Sequence, residues 1–481
     1  MISRRGGFQA LVFVCLVVFL AANVMAGAPK KAPVNPEFLQ YHRSGQGIRQ
    51  LISIDGHGLG VVPSPVLLPK VKMPGTKTAI PNTYDLRSVA GVTSVKDQGY
   101  CGSCWTFAAY GSMESYLKYK LTSTRDFCEQ DMNHYVGFYY GECEGGNRDM
   151  ATAYLARWDG PINEGEWPYP YSKSMPGAII QKHVQNVWYL PSRSSYTDNS
   201  IIKQAIIDNG GLYVSFYWDS AFYNSGKYAY YNPTGNTGNG GGHAVTVVGW
   251  NNGYSAANFN DTPAGNGAFL IKNSWGTSWG NAGYFWMSYY DVSAGYFTQF
   301  LNAEATSNYK KAYEYDPFGW TGNWGYGEEY YSAYGANIFK AATTTGGNNI
   351  KAVGLYATVP NTEVTISIYK DLPDTGNTDP KAGTLVGSAY TTKIAHAGYA
   401  TVVLPTPAVV TAGKKFSVVV KFKTPGYAYP VPSEGYYSDY SPSASAYQWQ
   451  SFISQYGGTW ADMHTDVQAY ESICIKAFAG Q

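Results

Sequence analysis

Apolar residues behind Cys104 follow a helical repeat. They recur at steps of three or four residues, which is typical of one face of an α-helix. The recurring residues are Phe107, Tyr110, Met113, Leu117 and Leu121. The repeat predicts a helix that begins at or near Cys104. Because a helix N-terminus carries unpaired N–H groups and the positive end of the dipole, this position favours a thiolate over a thiol.

Further helical patterns follow, and strand patterns come after them. Acidic residues open a second helix at Glu129, an apolar stripe from Met150 to Trp158 predicts a third, and residues 201–206 predict a short fourth. Apolar and β-branched runs then predict strands at 212–218, 243–250, 267–273 and 283–289. The first part of the chain is therefore predicted to be α+β, with helices before strands.

The pattern changes again beyond residue 305. Residues 306–335 are aromatic and rich in glycine, and they are interpreted as a linker. From residue 336 to 481, short β-branched runs are separated by turns, which predicts an all-β sandwich domain. The runs are 353–357, 364–369, 400–404 and 416–422.

The first 26 residues have the pattern of a secretory signal peptide. Arg4 and Arg5 precede an apolar stretch from Ala10 to Ala22, and Ala26 offers a small residue for cleavage. The alternative is an uncleaved anchor, but the apolar stretch is short for a span of about 20 residues. We expect a secreted, extracellular or cell-surface protein, with the periplasm left open, and no integral membrane span after signal removal.

Residues 27–81 are rich in proline and lack a long helical period. Two interpretations stay open for this N-terminal segment. It is either a short inhibitory or packing pro-segment, or a linker to the signal peptide.

Composition limits the classes of function. The chain has 481 residues, of which 44% are hydrophobic and 14% are charged. This is enough for a large buried core and for two domains or more. The formal net charge of +1 argues against a nucleic-acid partner.

The loop before the first helix carries candidate chemistry. A nucleophilic Cys104 needs a base and an oxyanion donor. His243 lies where a glycine loop enters a strand, and Asn273 follows an apolar strand and is placed to hold the far ring nitrogen of the histidine. The side chain of Gln98 offers N–H donors near Cys104.

These motifs resemble the papain family (C1) of cysteine peptidases over roughly residues 82–305. The resemblance rests on the run Cys101–Trp105, on His243 and on Asn273–Gly276. It implies a two-lobed fold with a helical lobe and a β lobe. It also implies Cys104 as nucleophile, His243 as base, Asn273 as orienting residue, and Gln98 with the Cys104 N–H as oxyanion donors. Trp275 matches the tryptophan that shields the His–Asn contact.

The resemblance further implies a disulfide and a cleft lining. Cys101 is expected to pair with Cys143. The residues expected to contact substrate are Gly145, Gly146, Asn147, Arg148 and Gly242. The two polar residues at 147 and 148 stand where the family's specificity pocket is commonly apolar. Cys128 and Cys474 either pair with each other or stay buried and reduced, and the second interpretation is preferred.

The C-terminal part is similar to the lectin-like domain that follows papain-type peptidases in some secreted prokaryotic proteins. Residues 398–402, 416–420 and 430–432 carry the match. The resemblance implies carbohydrate as a second partner beside a protein or peptide substrate. Trp449 and Trp460 are candidates for stacking on sugars, but a core role is preferred.

Other functions fit the sequence less well. The Cys101–Cys104 spacing also occurs in redox and zinc sites, but no βαβ setting and no second ligand pair accompany it. We therefore expect no metal and no cofactor. The remaining alternative is a cell-surface glycan-binding adhesin that keeps the papain fold as a scaffold, and the retained catalytic positions favour an endopeptidase instead.

Overall fold

The structure is a computed structural model that describes residues 27–43, 52–71, 79–170 and 177–480. The predicted signal peptide, residues 1–26, lies outside the described residues. In the part of the chain that is described, no helix is long and apolar enough to cross a bilayer.

The helical lobe is built around one buried helix. This is α2 (Cys104–Leu121), whose residues from Cys104 to Leu117 are all buried, including the polar residues Thr106, Ser112, Glu114 and Ser115. A helix that is buried on all sides lies in the middle of a core. Two shorter helices pack beside it, α3 (Glu129–Tyr135) and α4 (Arg148–Ala156). The sequence predicted these three helices, and α2 begins at Cys104 as expected.

The β lobe contains the strands that the apolar runs predict. Its elements are β2 (Thr83–Asp85), β3 (His183–Tyr189), α5 (Ser200–Asn209), β4 (Leu212–Trp218), β5 (Tyr223–Asn224), β6 (Ala229–Tyr230), β7 (Gly241–Asn251), β8 (Ala268–Lys272), β9 (Tyr284–Ser288) and β10 (Gly295–Glu304). Strands β4, β7, β8 and β9 are neighbours in one sheet. The α+β fold of this part is confirmed.

The C-terminal part is all-β, which is also confirmed. Its strands are β11 (Lys311–Tyr313), β12 (Gly322–Gly325), β13 (Ser332–Lys340), β14 (Asn349–Ala357), β15 (Thr362–Leu372), β16 (Thr384–Leu385), β17 (Tyr390–Ile394), β18 (Ala397–Val409), β19 (Lys415–Lys423), β20 (Val431–Glu434), β21 (Ser451–Ser454), β22 (Ala461–Asp462), β23 (Ser472–Ile473) and β24 (Ile475–Ala479). Apolar side chains of β14, β18 and β24 pack against those of β13, β15 and β19.

The two parts share one sheet. Strand β18 pairs antiparallel with β3, so a 13-stranded sheet runs from the sandwich into the β lobe. Residues 306–335, interpreted from sequence as a linker, contain β11, β12 and the start of β13. That interpretation is wrong, because these short aromatic strands complete sheets of the second domain.

The N-terminal segment adds two elements of its own, β1 (Lys30–Lys31) and α1 (Pro36–Arg43). Strand β1 pairs with β12, at the edge of a four-stranded sheet whose order is β1-β12-β20-β23. The segment is therefore attached to the second domain at one end.

Candidate active site

The first residue of α2 is the candidate nucleophile. Cys104 follows the N-terminal cap residue Ser103 and is fully buried. The backbone N–H of Ala244 donates a hydrogen bond to its Sγ over 3.4 Å. The helical lobe thus brings the thiol against the residue that follows His243 on β7.

The histidine is held by the predicted asparagine. His243 lies near the start of β7, opposite Phe216 of β4. Its Nε2 is 2.8 Å from Oδ1 of Asn273, which follows β8 directly. Within the described chain, Nδ1 of the same ring is buried without a hydrogen-bond partner. Since Asn273 holds Nε2, Nδ1 is the nitrogen left to take a proton from the thiol.

An aromatic wall covers the His–Asn contact. The Trp275 ring stacks on His243 at 4.6 Å with an interplanar angle of 21°. Trp218 and Trp279 meet Trp275 edge-on at 4.9 Å each. Trp275 itself is almost completely buried. The shielding role that the resemblance implies therefore has a geometric basis.

The side-chain amide of Gln98 has a fixed orientation. Ser274 Oγ donates to its Oε1 over 2.5 Å, so the amide nitrogen faces the other way. Nε2 donates to the carbonyl oxygen of Cys101 over 2.8 Å and to that of Gly58 over 3.0 Å. Gln98 therefore offers a donor to a peptide carbonyl in the cleft, and that carbonyl belongs to the N-terminal segment.

Residues 57–62, here called the cleft segment, run between the two lobes. On one side, Gly60 N and Val61 N donate to the carbonyl oxygen of Gly242 over 2.9 and 3.0 Å. On the other, Gly146 N donates to Gly60 O over 2.8 Å, and Val62 N donates to Gly146 O over 3.0 Å. A peptide thus lies in the cleft with both backbone edges hydrogen-bonded.

The cleft segment fits because two of its residues lack side chains. A Cβ on Gly58 would lie 2.2 Å from the carbonyl oxygen of Cys101, and one on Gly60 would lie 2.1 Å from that of Gly102. Gly60 also has a φ of +153°, which L side chains rarely adopt. Only glycine permits this approach of the segment to the loop before Cys104.

A second histidine lies beside the aromatic wall. His57 stacks on Trp275 at 4.5 Å with an interplanar angle of 10°. The Trp275 Nε1–H donates to the Gly58 carbonyl oxygen over 3.1 Å. His57, Gly58 and Gly60 were not predicted from the sequence as site residues, and the only signal for them was a Gly-His-Gly run in a segment without helical period.

The predicted substrate-binding residues fall into two groups. Gly145, Gly146 and Gly242 line the cleft, and Gly146 and Gly242 form hydrogen bonds with the cleft segment. Asn147 caps α4 through its Oδ1 and donates from Nδ2 to Val62 O over 3.2 Å. Arg148 is buried, with its guanidinium 4.0 Å from the Tyr189 ring centroid and bonded to Thr298. Arg148 is therefore tied into the domain interior.

Burial shifts the pKa values of Cys104 and His243. It raises the pKa of the Cys104 thiol to about 12, and backbone N–H bonds to the sulfur oppose this only in part. Burial lowers the pKa of His243 to about 3, against the hydrogen bond from Asn273. From the sequence, the helix N-terminus was expected to favour a thiolate at Cys104. The occupied cleft favours neutral thiol and neutral imidazole instead, because both side chains are cut off from water.

The cysteines beside the site are paired as the resemblance implies. Cys101 and Cys143 form a disulfide, and Gly102 N donates to Cys143 O over 3.2 Å. This links the loop before Cys104 to the segment that contains Gly145 and Gly146. Cys128 and Cys474 are both buried free thiols.

The two candidate sugar-stacking tryptophans differ in exposure. Trp449 is 36% exposed. Trp460 packs edge-on against Tyr334 at 6.2 Å, beside a small apolar cluster. The second is a packing residue, as preferred from sequence.

Family comparisons agree with this arrangement. Residues 80–299 match the model described as papain family cysteine protease, and residues 312–479 match the model described as lectin like domain. A cathepsin L-like peptidase of Aedes aegypti is 31% identical over 216 residues, covering 43% of this chain and 58% of the relative. Cathepsin K of Mus musculus is 33% identical over 209 residues, covering 43% and 59%. The chain thus spans less than two thirds of the length of these relatives.

Solved structures extend the likeness to the whole chain. The cysteine protease and lectin-like domains of Cwp84, a surface layer associated protein of Clostridium difficile, superpose with a TM-score of 0.78. That match is 22% identical and covers 95% of this chain and 99% of the other. A structure of clostridial Cwp84 after propeptide cleavage gives a TM-score of 0.70 and covers 83% of this chain. At this identity, the superpositions show a shared fold.

The two family models occupy consecutive parts of the chain, and the fold holds the motifs of the first around one cleft. Residues 80–299 therefore form a papain family cysteine protease domain, and residues 312–479 form a lectin-like domain.

Proposed function

We propose that the chain is a secreted cysteine endopeptidase whose cleft is closed by its own N-terminal segment until that segment is removed. The observation that carries the proposal is the bond from Gln98 Nε2 to Gly58 O in a cleft where Cys104, His243 and Asn273 meet. A peptide carbonyl of the N-terminal segment already accepts a hydrogen bond from the predicted oxyanion donor.

The residues support acyl transfer through a thioester. His243 Nδ1 takes the proton of Cys104, and the sulfur attacks the substrate carbonyl carbon. Gln98 Nε2 and the Cys104 N–H stabilise the resulting oxyanion. His243 then gives its proton to the leaving amine as the C–N bond breaks. In the second half, His243 takes a proton from water, and the hydroxide releases the acid product and restores the thiol.

Closure by the cleft segment explains how the same chain is kept inactive. The segment excludes both substrate and water, and without water the thiol stays protonated. Val61 also pairs with Gly146 in the parallel sense. The backbone of the cleft segment is hydrogen-bonded on both edges and is fixed at Gly58 and Gly60. The segment is therefore not free to bring a carbonyl carbon onto the sulfur of Cys104.

The path of the segment supports endopeptidase over exopeptidase activity. The described chain continues from both ends of the cleft segment, to residue 52 on one side and to residue 71 on the other. Its glycines lie in the cleft, but neither end stops there. A cleft that holds the middle of one chain accommodates the middle of another.

Secretion is supported by the predicted signal peptide and by the Cys101–Cys143 disulfide, since disulfides persist in oxidising compartments. The carbohydrate partner that the lectin-like domain suggests remains a proposal without a specific site.

The test is proteolysis of an unfolded protein substrate such as reduced casein. The full chain is expected to be nearly inactive, and the chain that has lost residues 27–71 is expected to cleave internal bonds. Cys104→Ala is expected to abolish cleavage. Full activity of that variant would overturn the proposal, and cleavage of terminal residues alone would overturn its endopeptidase part.

A further inference from the structure

A lysine of the N-terminal segment fills a pocket in the second domain. Lys31 lies in β1, opposite Trp324 of β12, and Ala32 N donates to Asn323 O over 2.9 Å. Residues 30–32 thus add a strand to the edge of the four-stranded sheet. Without them, the backbone groups of β12 on that side are unpaired.

The pocket around the lysine combines two rings and a carboxylate. Lys31 Nζ is 5.7 Å from the ring centroid of Trp324 and 5.3 Å from that of Tyr437. It forms an ion pair with Oε1 of Glu471. Two ring faces and one carboxylate around an ammonium group form a recognition site for a cation. Trp324, Tyr437 and Glu471 are called the ammonium pocket below.

The carboxylate of this pocket is built into the domain. Glu471 has 0% exposure, and its Oε2 accepts hydrogen bonds from Ser433 Oγ over 2.8 Å and from Trp324 Nε1 over 3.1 Å. Lys31 is the cationic partner of Glu471 in the described residues. Because a buried carboxylate without a cationic partner is unfavourable, the pocket that Lys31 has left would favour the binding of another cation.

The pocket also has room for a lysine stem. Gly322 of β12 lies beside the stem, and a Cβ there would be 3.1 Å from Lys31 Cε. Lys30, by contrast, is exposed. The pocket therefore takes up Lys31 by depth and by charge, and Lys30 stays outside it.

The N-terminal segment joins this pocket to the cleft. Phe38 of α1 packs edge-on against Tyr437 at 5.5 Å, and Asn35 Nδ2 donates to Ser64 O over 2.9 Å, just beyond the cleft segment. Removal of residues 27–71 would therefore open the cleft, the ammonium pocket and the edge of β12 together.

We propose that the ammonium pocket and the edge of β12 form a binding site for extended peptides that carry a lysine. Residues 30–32 occupy it in the full chain, and a lysine-bearing stretch of another protein occupies it once the N-terminal segment has left. The binding of another protein at this site rests on the proposed removal of the N-terminal segment. Backbone pairing supplies affinity and the pocket supplies side-chain selection, as in other cases of strand addition. The site would bind protein substrates at a surface that is separate from the cleft.

The test uses the full chain with Cys104→Ala and with residues 72–78 replaced by a recognition sequence for a site-specific protease, cut after folding. The probe is a fluorescent peptide of residues 28–35, followed by anisotropy. We expect the peptide to bind and Lys31→Met in the peptide to weaken binding about tenfold or more, since it loses the ion pair and the ring contacts. Lys30→Met is the matched control and is expected to leave binding unchanged.

A second peptide keeps the lysine at its position in an otherwise shuffled sequence, and it is expected to bind with similar affinity. Failure of this peptide would overturn the extension to other proteins. Equal binding of the wild-type and Lys31→Met peptides, or no binding after the N-terminal fragment has left, would overturn the site itself. Glu471→Gln in the chain, with folding checked by circular dichroism, is expected to reproduce the loss.

If mass spectrometry shows that the cut fragment stays bound, its release is measured instead in chains carrying Lys31→Met or Lys30→Met. Faster release with Lys31→Met alone supports the site, and equal release contradicts it. None of these measurements reads peptidase activity. Failure here and failure of the proposed function are therefore distinguishable.

Discussion

Gln98 Nε2 donates a hydrogen bond to the carbonyl oxygen of Gly58 over 3.0 Å. This bond joins the predicted oxyanion donor to the segment that closes the cleft. The same amide serves two states in our account. It binds the segment while the chain is closed, and it binds the developing oxyanion when substrate replaces the segment.

Gln98→Ala is therefore expected to have two effects of opposite direction. In the opened chain, loss of one oxyanion donor should lower kcat by roughly 100-fold or more with little change in KM. In the full chain, loss of the bond to Gly58 should speed removal of the N-terminal segment. Steady-state kinetics and gel analysis of processing measure the two effects. Unchanged kcat would exclude Gln98 as an oxyanion donor.

Gly60→Val tests whether the cleft segment keeps the chain inactive. A Cβ at this position would lie 2.1 Å from the carbonyl oxygen of Gly102, so the cleft segment should no longer fit in the cleft. We expect the unprocessed variant to hydrolyse casein, whereas the full wild-type chain does not. Ile54→Ala, at a residue that is 88% exposed, is the matched control and should stay inactive. An inactive Gly60→Val chain that opens normally after cutting would contradict the role of the segment.

Asn273→Ala tests the orientation of the base. The substitution removes the bond to His243 Nε2, and a lost hydrogen bond to a group that becomes charged is worth about 1.5–3 kcal/mol. We expect kcat to fall roughly 10- to 150-fold while KM changes little. Kinetics of the opened chain with a peptide substrate provide the measurement. If kcat stays at the wild-type level, another group orients His243.

The pH dependence of alkylation tests the effect of closure on the thiol. Burial raises the pKa of Cys104 to about 12 in the closed chain, so the thiolate fraction near neutral pH is very small. The alkylation rate of Cys104 should therefore keep rising with pH up to the limit of folding. After removal of residues 27–71, water and His243 reach the sulfur, and the inflection should move below pH 9. Iodoacetamide labelling with peptide mapping follows this residue alone, and identical profiles would show that the segment does not control the thiol.

The sequence predicted those parts of the site that rest on local pattern. The period behind Cys104 places the thiol at the start of α2. His243 and Asn273 follow from the junctions of strands with loops, and the structure brings them within 2.8 Å. Each of these positions is determined by residues close to it in the chain.

The rest depends on contacts between distant parts of the chain. The cleft segment is hydrogen-bonded to Gly146 and Gly242 and lies close against Gly102, and no helical or strand period marks it in advance. The pairing of β18 with β3 and the strands within 306–335 were missed for the same reason. In the closed chain, burial favours the thiol of Cys104 over the expected thiolate, and the sequence does not show what excludes water from this residue.

The most direct test of the account is mass spectrometry of the opened chain after treatment with an epoxide-type thiol probe. The account predicts one adduct, on Cys104, that is absent in His243→Ala and strongly reduced in the closed full chain. Cys128 and Cys474 are buried free thiols and serve as internal controls that should stay unlabelled. An adduct that persists in His243→Ala, or a folded opened chain with none on Cys104, would contradict an activated nucleophile at this site.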